Sequence, residues 1–518
     1  MAKKRVLIVG AGAAGMSCAE QLSQHPDKYD ITVIEAQDYC GGQAFSIPID
    51  EKKFGTNWMN QGVQGGSWIY HHTFYHFKQR GTEAVPVDLE VSFGKGDKFW
   101  TNSFPTVLVQ KHMAEIKRFE WVMKVMRWTE LFWALIPIKV SLKMFFFSDE
   151  FIHYMIYPSL ALFLGTGNAT PDLPSIIMER LYTSPTYGMW YPVDPKSLSS
   201  NKPPMVVFPH ESDFYEKWRH VLESRGVKIR LNTEVMAVVE RSNKGVKVLT
   251  RGRRPQEDHH NPVGADQDLP EQLEQYDELV LNVLADTAAK LLGKKARWIE
   301  KRVLGATKWS DDITVTHHDL DYIKKYYTIE FPEDVSVKKL GDRDETERYE
   351  AGKKAYNPMY LIKQNDDPRK LEMCFDCHAF QYQLDQNLPL EQHVFQTIFL
   401  NTDHKKYWSI DEIDPEKIVR KDWWHQLCHS WTHYAFVVPW MWLLQGKKRT
   451  RFAAAWTLVN AHELACISGM AAAYALGAEY PAELEEDSFA VLCFRLYLLL
   501  NHRMLFKKSE NRKRRGAE

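Results

Sequence analysis

The chain has 518 residues, which at roughly 150 residues per domain predicts two or three domains. Apolar residues make up 44% and charged residues 26%, so a disordered or collagen-like chain is excluded. Its 66 Lys and Arg balance 67 Asp and Glu, and we therefore expect no nucleic-acid partner.

The composition also bears on the cell compartment. Seven scattered Cys are typical of reduced thiols, and the first residues lack a signal-peptide pattern. No uncharged apolar run reaches the 18 residues of a spanning helix. We therefore expect a cytoplasmic protein. The 17 Trp, 23 Tyr and 26 Phe could serve a core, a lipid interface or an apolar substrate channel.

Residues 5–35 have the pattern of one βαβ unit. A β-branched run, Arg5 to Val9, precedes Gly10-Ala11-Gly12-Ala13-Ala14-Gly15, and a helix should follow as far as His25. The next strand ends in an acid, Glu35, 20 residues after Gly15. This spacing predicts a dinucleotide site, with phosphates at the helix N-terminus and Glu35 on the ribose hydroxyls. The predicted contacts are Gly10, Gly12, Ala13, Ala14, Gly15, Glu35 and Ala36.

The segment after this unit resembles a known family. Glu35, five residues and then Gly41-Gly42 resemble the E-x6-G-G segment of the flavin-containing amine oxidoreductase superfamily, with a spacer one residue shorter. The resemblance implies FAD as the cofactor. Gln43 stands where many members carry Arg. The resemblance also implies that residues approaching the flavin follow this segment, and the cofactor contacts it adds here are Gly42, Gln43, Thr56, Asn57 and Trp58.

Further matches lie in the middle and at the C-terminal end of the chain. Residues 226–235 resemble the family strand whose end, Val235, contacts adenine, and residues 276–293 resemble the returning strand and helix. The run 451–473 resembles the C-terminal flavin-binding strand and helix. In the family this helix directs its N-terminus at the flavin. The contacts implied there are His462, Glu463 and Leu464.

These separated matches imply an α/β fold in which a Rossmann-like FAD-binding domain is interleaved with a substrate domain. The substrate domain should combine a mixed sheet with a helical cap. The predicted FAD-binding domain comprises 1–55, 205–293 and 445–480. The substrate domain comprises 56–204 and 294–444, and residues 481–518 form a C-terminal amphipathic helix and basic tail.

A narrower resemblance rests on short motifs. Leu304-Gly305-Ala306, residues 316–319, the Arg-Phe-Ala-Ala-Ala run at 451–455 and His462-Glu463 resemble flavoproteins encoded beside, or fused to, cyclopropane fatty acid synthases. More distantly, the chain is similar to polyenoic fatty acid isomerases, which share the FAD frame.

Two histidines are candidate catalytic residues. His462 could act as an acid or base beside the flavin, and a structural role for it is an equal alternative. His317 lies at the end of the predicted strand 313–316 and could face the substrate cavity, or simply be hydrogen-bonded at the strand terminus.

Two other motifs suggest chemistry that we do not expect. His425, His429 and His433 recur every four residues and on a helix would share one face, where they could bind a metal. No matched carboxylate is evident, so we favour a polar helix face and predict no metal site. Cys374-Phe375-Asp376-Cys377-His378 matches the haem-attachment pattern, but a strand over 371–376 would separate the two thiols, and we predict no haem.

Three segments concern the surface. Residues 121–164 are rich in apolar side chains and should form a buried helical cap or, alternatively, a monotopic membrane patch. The apolar helix 489–506 precedes six basic residues that suit an anionic membrane, or a solvated tail. The polar stretch 252–275 should be a loop between two strands.

Together these observations predict an FAD-dependent enzyme that abstracts a hydride from an apolar, fatty-acyl substrate, giving desaturation or double-bond isomerisation. The aromatic-rich cap segment suits a long apolar substrate. An amine oxidase producing H₂O₂ is the first alternative. A non-catalytic, FAD-holding protein of a lipid surface or synthase complex is the second. An anionic membrane is a candidate partner, and the oligomeric state stays open.

Overall fold

The computed structural model describes residues 3–164, 169–186, 188–254, 269–339 and 341–516. Most of the predicted loop 252–275 lies outside these residues. The strands are β1 (Lys4–Val9), β2 (Tyr29–Ile34), β3 (Ala44–Pro48), β4 (Trp58–Gly62), β5 (Gly65–Gly66), β6 (Val85–Asp88), β7 (Val91–Phe93), β8 (Trp100–Thr101), β9 (Pro204–Val207), β10 (Lys228–Arg230), β11 (Thr233–Ser242), β12 (Gly245–Gly252), β13 (Glu271–Tyr276), β14 (Glu278–Leu281), β15 (Trp309–His317), β16 (Tyr360–Gln364), β17 (Leu371–Asp376), β18 (Phe395–Phe399), β19 (Ile418–Leu427) and β20 (Thr450–Phe452).

The helices alternate with these strands. They are α1 (Ala13–Ser23), α2 (Glu51–Phe54), α3 (His71–Gln79), α4 (Val107–Lys111), α5 (Met113–Trp128), α6 (Glu130–Trp133), α7 (Ile138–Met144), α8 (Asp149–Phe151), α9 (Tyr157–Leu164), α10 (Ser175–Thr183), α11 (Glu211–Ser224), α12 (Ala285–Leu292), α13 (Trp298–Leu304), α14 (Leu320–Tyr326), α15 (Arg343–Ala355), α16 (Trp431–Phe436), α17 (His462–Leu476), α18 (Ala482–Glu485), α19 (Ser488–His502) and α20 (Lys508–Arg514). Within the described residues, no helix combines the length and the apolar character needed to cross a bilayer.

A parallel sheet with the order β10-β2-β1-β14-β20 forms the centre of the nucleotide-binding half. Its strands are drawn from four separated parts of the chain, as the family resemblance predicted. The inner strands are apolar on both faces because helices cover both, and Val6, Leu7 and Ile8 are fully buried. Helix α17 packs on α1 so closely that a Cβ at Gly469 would lie 2.0 Å from the Ala14 carbonyl oxygen.

The second large sheet has the order β19-β15-β18-β17-β16-β7-β8 and is antiparallel except for the β16–β7 pair. Helices α5, α7, α9 and α10 share one apolar core with this sheet, in which Trp100, Trp190 and Phe151 are fully buried. The α/β class, with a mixed sheet and a helical cap beside a Rossmann-like sheet, is therefore confirmed. The exact domain boundaries stay a prediction.

Several local predictions need correction. The three-histidine helix is wrong: His425 lies in β19, where it pairs with Asp311 of β15, while His433 lies in α16. The residues around His425 form a strand because they pair with β15, and the spacing of the histidines in the sequence cannot show this pairing. The strand predicted over 226–235 is split into β10 and β11 by Asn232, whose φ is +48°.

The basic tail is neither extended nor freely solvated. It forms α20, and Asn511, fully buried, donates to the Tyr480 carbonyl oxygen at 2.9 Å and accepts from the Tyr480 N–H at 2.8 Å. Arg514 donates to the carbonyl oxygen of Tyr474 at 2.6 Å, and Arg515 pairs with Glu485 at 2.8 Å. Lys508 donates to the Glu485 carbonyl oxygen at 2.5 Å, so three of the six predicted membrane-facing cations are engaged within the fold.

Candidate cofactor site

The turn between β1 and α1 explains two of the three fingerprint glycines. Gly10 has φ +99°, and a Cβ there would lie 2.5 Å from the Asn282 carbonyl oxygen. A Cβ at Gly15 would lie only 1.9 Å from the Gly10 carbonyl oxygen. Both positions therefore exclude a side chain. Gly10 is also required by its backbone conformation, and Gly15 by the close packing of the helix on the strand.

Gly12 is different because space surrounds it. It precedes α1 with an ordinary φ of −74°, and a Cβ there would have only Gly41 and Gly42 within reach, at 3.8 and 3.9 Å. The first N–H groups of α1, at Ala13 and Ala14, have no carbonyl of their own helix to bond. This arrangement offers backbone donors and room to an anionic group.

Glu35 follows β2 and reaches back under this turn. Its carboxylate accepts from the Ala11 N–H at 2.7 Å and from the Gln37 N–H at 2.9 Å. Burial raises its pKa, while these N–H groups act in the opposite direction. Two carboxylate oxygens can accept about four hydrogen bonds, so capacity remains for sugar hydroxyls. Val235 is buried in β11. This strand begins beside Glu35, because the Thr233 N–H donates to the Glu35 carbonyl oxygen at 2.9 Å.

The second glycine pair lies directly against the first. The Gly41 N–H donates to the Ala11 carbonyl oxygen at 2.9 Å, and Gly12 and Gly41 form an isolated β-bridge. Gly42 has φ +63°, which permits the sharp turn into Gln43 and β3. The two predicted glycine segments thus form one continuous cradle.

The β3–β4 hairpin then decides what lies beside Gln43. Its register pairs Ala44 with Gly62 and Pro48 with Trp58, and the Val63 N–H donates to the Gln43 carbonyl oxygen at 3.1 Å. The predicted residues Thr56, Asn57 and Trp58 are consequently at the opposite end of the hairpin, about 13 Å along the strand at 3.3 Å per residue. There Trp58 stacks on His210, with ring centroids 4.2 Å apart.

Buried amides near this hairpin were missed by the sequence reasoning. The Asn60 N–H donates to Gln381 Oε1 at 2.8 Å, and Gln381 Nε2 donates to Gln64 Oε1 at 2.7 Å; Gln64 in turn bonds Gln396. Gln61 donates to Asp422 at 2.6 Å. These side chains form a polar wall, almost without charge, between the hairpin and the seven-stranded sheet. The available signal was the group of polar residues Asn60, Gln61 and Gln64 close to Gly62, Gly65 and Gly66; Asn60 and Gln61 lie in β4 and Gln64 just beyond it.

The N-terminus of α17 is held by its first two side chains. His462 shares hydrogen bonds with Tyr215 Oη at 2.7 Å and with Thr73 Oγ1 at 3.0 Å, so both ring nitrogens are engaged. Burial lowers its pKa to about 4, so the ring is neutral at neutral pH. This geometry favours the structural alternative for His462, and its catalytic role stays a prediction.

Glu463 also bonds the protein itself. It accepts from the backbone N–H groups of His72 and Thr73 at 3.0 and 2.8 Å, and its carboxylate lies 2.6 Å from His72 Nδ1. Burial opposes its ionisation, but the His72 ring and these donors leave its pKa lowered. Leu464, by contrast, is partly exposed.

His317 lies inside the seven-stranded sheet. Its Nε2 is 2.9 Å from Thr397 Oγ1, and the Asp319 N–H donates to its Nδ1 at 3.2 Å. It is fully buried, and burial lowers its pKa to about 3. The alternative of a hydrogen-bonded strand terminus fits these contacts, and a catalytic role for His317 stays a prediction.

Glu211 is a candidate proton-handling group that the sequence did not reveal. It begins α11 and is fully buried, and neither carboxylate oxygen has a hydrogen-bond partner among the described residues. Burial raises its pKa well above the usual value. Its backbone N–H donates to Asn60 Oδ1 at 3.4 Å, and Tyr215, the partner of His462, lies one helical turn further along α11. A buried carboxyl group whose ionisation is disfavoured therefore borders the amide wall.

The haem-like motif forms part of a different cluster. Asp376, His378 and His393 are buried within reach of one metal ion. However, the Val394 N–H donates to His378 Nδ1 at 3.1 Å, which places the ring proton of neutral His378 on Nε2. His393 contacts Asp376 at 2.8 Å through Nδ1 and the Leu388 carbonyl oxygen at 3.0 Å through Nε2. The cluster is best described as a buried Asp–His pair with a stacked second ring. Burial raises the pKa of both motif thiols.

Comparison with known proteins agrees with this geometry. The family profile described as an NAD(P)-binding Rossmann-like domain matches residues 8–70. These residues form a Rossmann-like unit. A search of curated proteins finds no match.

Solved structures extend the likeness to most of the chain. A protein described as a putative protoporphyrinogen oxidase from Exiguobacterium sp. 255-15 has a TM-score of 0.59 at 13% identity, covering 92% of this chain and 99% of that one. A CLA-producing fatty acid isomerase from P. acnes has a TM-score of 0.54 at 12% identity, covering 90% of this chain and 97% of that one. Cyclohexylamine oxidase from Brevibacterium oxydans IH-35A has 0.56 at 11%, covering 92% and 99%. At such identities the shared property is the fold.

Proposed function

We propose that the chain binds FAD and acts as an oxidoreductase on an apolar, fatty-acyl substrate, yielding a desaturated or double-bond-shifted chain. The observation that carries the proposal is the cradle formed by Gly12, Gly41 and Gly42 above the carboxylate of Glu35. Its space, backbone donors and acceptor suit a pyrophosphate and a ribose without a 2′-phosphate. The choice of FAD is supported by the second glycine pair, whose N–H tie to Ala11 extends the cradle beyond a simple fingerprint.

Bound FAD would supply the hydride acceptor, and the chain would supply orientation, exclusion of water and proton transfer. The N-terminus of α17 presents a helix dipole that favours negative charge. The Gln381 amide bonds both the backbone of Asn60 and the Gln64 side chain, and the Asn60 amide donates to the Phe208 and Pro209 carbonyl oxygens, so this wall stays rigid without bringing charge. Burial disfavours the ionised form of Glu211, so this side chain can hold a proton on a carboxyl oxygen at the edge of that wall.

The substrate class is supported by the cap. The core of the cap joins apolar residues of α5, α7, α9 and α10 to the seven-stranded sheet. Such apolar surroundings suit a long apolar chain, because its burial leaves no polar group unpaired. The fold neighbour named as a fatty acid isomerase agrees with this class. A kinship to the flavoproteins associated with cyclopropane fatty acid synthases belongs to the same proposal.

An amine oxidase is the second candidate. Trp58, stacked on His210 and with Tyr382 at its edge at 6.1 Å, forms a partly exposed aromatic group that could contact an amine. The fold is also shared with cyclohexylamine oxidase and putrescine oxidase. Glu211 weakens this candidate, because burial disfavours the carboxylate form that would give a cationic amine its counter-charge.

Anaerobic mixing of the flavin-loaded protein with fatty acids and with amines separates these functions. Loss of the oxidised-flavin absorbance with a fatty acid supports net desaturation. A rearranged product without that loss supports isomerisation. Bleaching by amines alone would favour the oxidase, and inertness toward all of them would refute the enzymatic proposal in favour of a protein that holds FAD for structure. Free FAD in the same mixtures is the control.

A further inference from the structure

One edge of the helical cap leaves large apolar side chains in solvent. This cap edge consists of Trp128, Leu131, Phe132, Leu135, Val140 and Met144, at the end of α5, in and after α6, and on α7. Trp128 and Leu131 are 89% and 87% exposed, so they project from the surface rather than cover a neighbour. A contiguous group of this kind marks an interaction surface.

Helix α7 shows how the edge is organised. Ile138, Ser141 and Leu142 are buried against the cap core. Val140 and Met144, four residues apart, form an exposed apolar stripe, and Lys139 and Lys143 form an adjacent cationic stripe. The helix therefore presents apolar and positively charged faces side by side, which is the pattern of a helix lying at a bilayer surface.

The cationic stripe borders a cleft of about 660 Å³. Among its described lining residues, four Lys and Arg face three Asp. Three of the cations are paired: Lys139 with Asp172 at 2.6 Å, Lys143 with Asp149 at 2.5 Å, and Arg369 with Asp367 at 2.9 Å. The fourth, Lys370, has no ion-pair partner in the described part of the chain. These seven residues account for the charges of the cleft. The cleft is thus slightly cationic and lies beside the apolar stripe, so a phosphate headgroup would be held next to inserted side chains.

We propose that the cap edge docks on a membrane containing anionic phospholipids. Trp128, Leu131 and Phe132 enter the boundary between headgroups and acyl chains, and Lys139 and Lys143 face the lipid phosphates. On α7, Lys139 and Lys143 lie beside exposed Val140 and Met144, an arrangement that a bilayer interface accommodates, whereas the core of a protein–protein interface is depleted in Lys. The contact is peripheral. It is independent of the reaction assigned above and of the docked C-terminal helix.

Vesicle co-sedimentation of the full-length, flavin-loaded protein tests this surface. Vesicles of phosphatidylcholine alone and of phosphatidylcholine with phosphatidylglycerol are compared at equal ionic strength, with vesicle-free samples to detect aggregation. We expect binding to the anionic vesicles and a loss of about tenfold or more in partitioning for Leu131→Glu. Leu273→Glu is the matched control, because Leu273 is exposed on a different sheet, and it should bind as the wild type does.

Two further variants make the test decisive. Replacing both Lys139 and Lys143 by Gln should remove the preference for phosphatidylglycerol while leaving the thermal transition unchanged. The apolar face of α19 is the competing surface, with Leu496 half exposed. Failure of the wild type to bind either vesicle, unchanged binding of Leu131→Glu, or loss of binding only in Leu496→Glu would each overturn the proposal. A changed oligomeric state of Leu131→Glu with unchanged vesicle binding would overturn it in favour of a protein partner.

Discussion

Replacement of Gly12 by Ala isolates cofactor binding from folding. The backbone of Gly12, at φ −74° and ψ −179°, is one that Ala adopts freely, and the new methyl group would have its nearest neighbours at 3.8 and 3.9 Å. The fold should therefore tolerate the change, and the free energy of unfolding should change by no more than about 1 kcal/mol in either direction.

The effect on FAD should be much larger. The methyl group would occupy the space through which the cofactor phosphates reach the N–H groups of α1. Losing one or two charge-assisted hydrogen bonds of about 1.5–3 kcal/mol each removes about 3 kcal/mol of binding energy. We therefore expect the Kd for FAD to rise about 100-fold.

Fluorescence titration of the apoprotein measures that Kd, and thermal unfolding without FAD measures the fold. Gly252→Ala is the matched control. Gly252 pairs with Thr233 of β11, but among the described residues a Cβ there would have only the Leu269 side chain within 4 Å, at 3.6 Å, so the Kd should stay unchanged. Gly15→Ala, whose Cβ would lie 1.9 Å from a carbonyl oxygen, should instead damage the fold. An unchanged Kd in Gly12→Ala, or a loss of stability as large as that of Gly15→Ala, would refute the reasoning.

Three further predictions follow from buried polar groups. Burial raises the pKa of Glu211 well above its usual value of 4.5, so the folded protein holds this proton more tightly than the unfolded chain does. Wild-type stability should therefore fall as pH rises above about 4.5, by up to about 1.4 kcal/mol per pH unit, and Glu211→Gln should remove this fall; parallel pH profiles in urea denaturation would contradict it. His462→Ala should cost about 2–4 kcal/mol of stability, while turnover per bound flavin should fall far less than the roughly 100-fold expected on losing an acid or base; a larger fall with an altered pH–rate profile would restore the catalytic assignment. Asn511→Ala should cost about 1–3 kcal/mol in thermal unfolding because both Tyr480 backbone groups lose their partner, whereas exposed Arg512→Ala should cost almost nothing; equal effects would contradict the docked tail.

The Rossmann-like part of the fold and the first part of the cofactor site could be predicted from the sequence, because local interactions determine both. Strand, glycine turn, helix and second strand lie within residues 5–35, and Gly10 and Gly15 are fixed by contacts inside that unit. The strand ending at His317 and the strand over 371–376 were likewise indicated by short-range alternation. The interleaving of the two sheets came from family resemblance.

Tertiary structure alone decided the rest. The register of β3 and β4 places Gly62 and Val63 beside Gln43, because strand pairing depends on a partner that no local pattern specifies. Side chains of α3 and α11, which are distant in sequence, bond both ring nitrogens of His462. The same packing leaves the Glu211 carboxyl group without a partner among the described residues. The sequence by itself determined which residues could cradle a dinucleotide. Only long-range packing decided which polar groups are engaged, which are neutral, and which apolar side chains remain exposed to solvent.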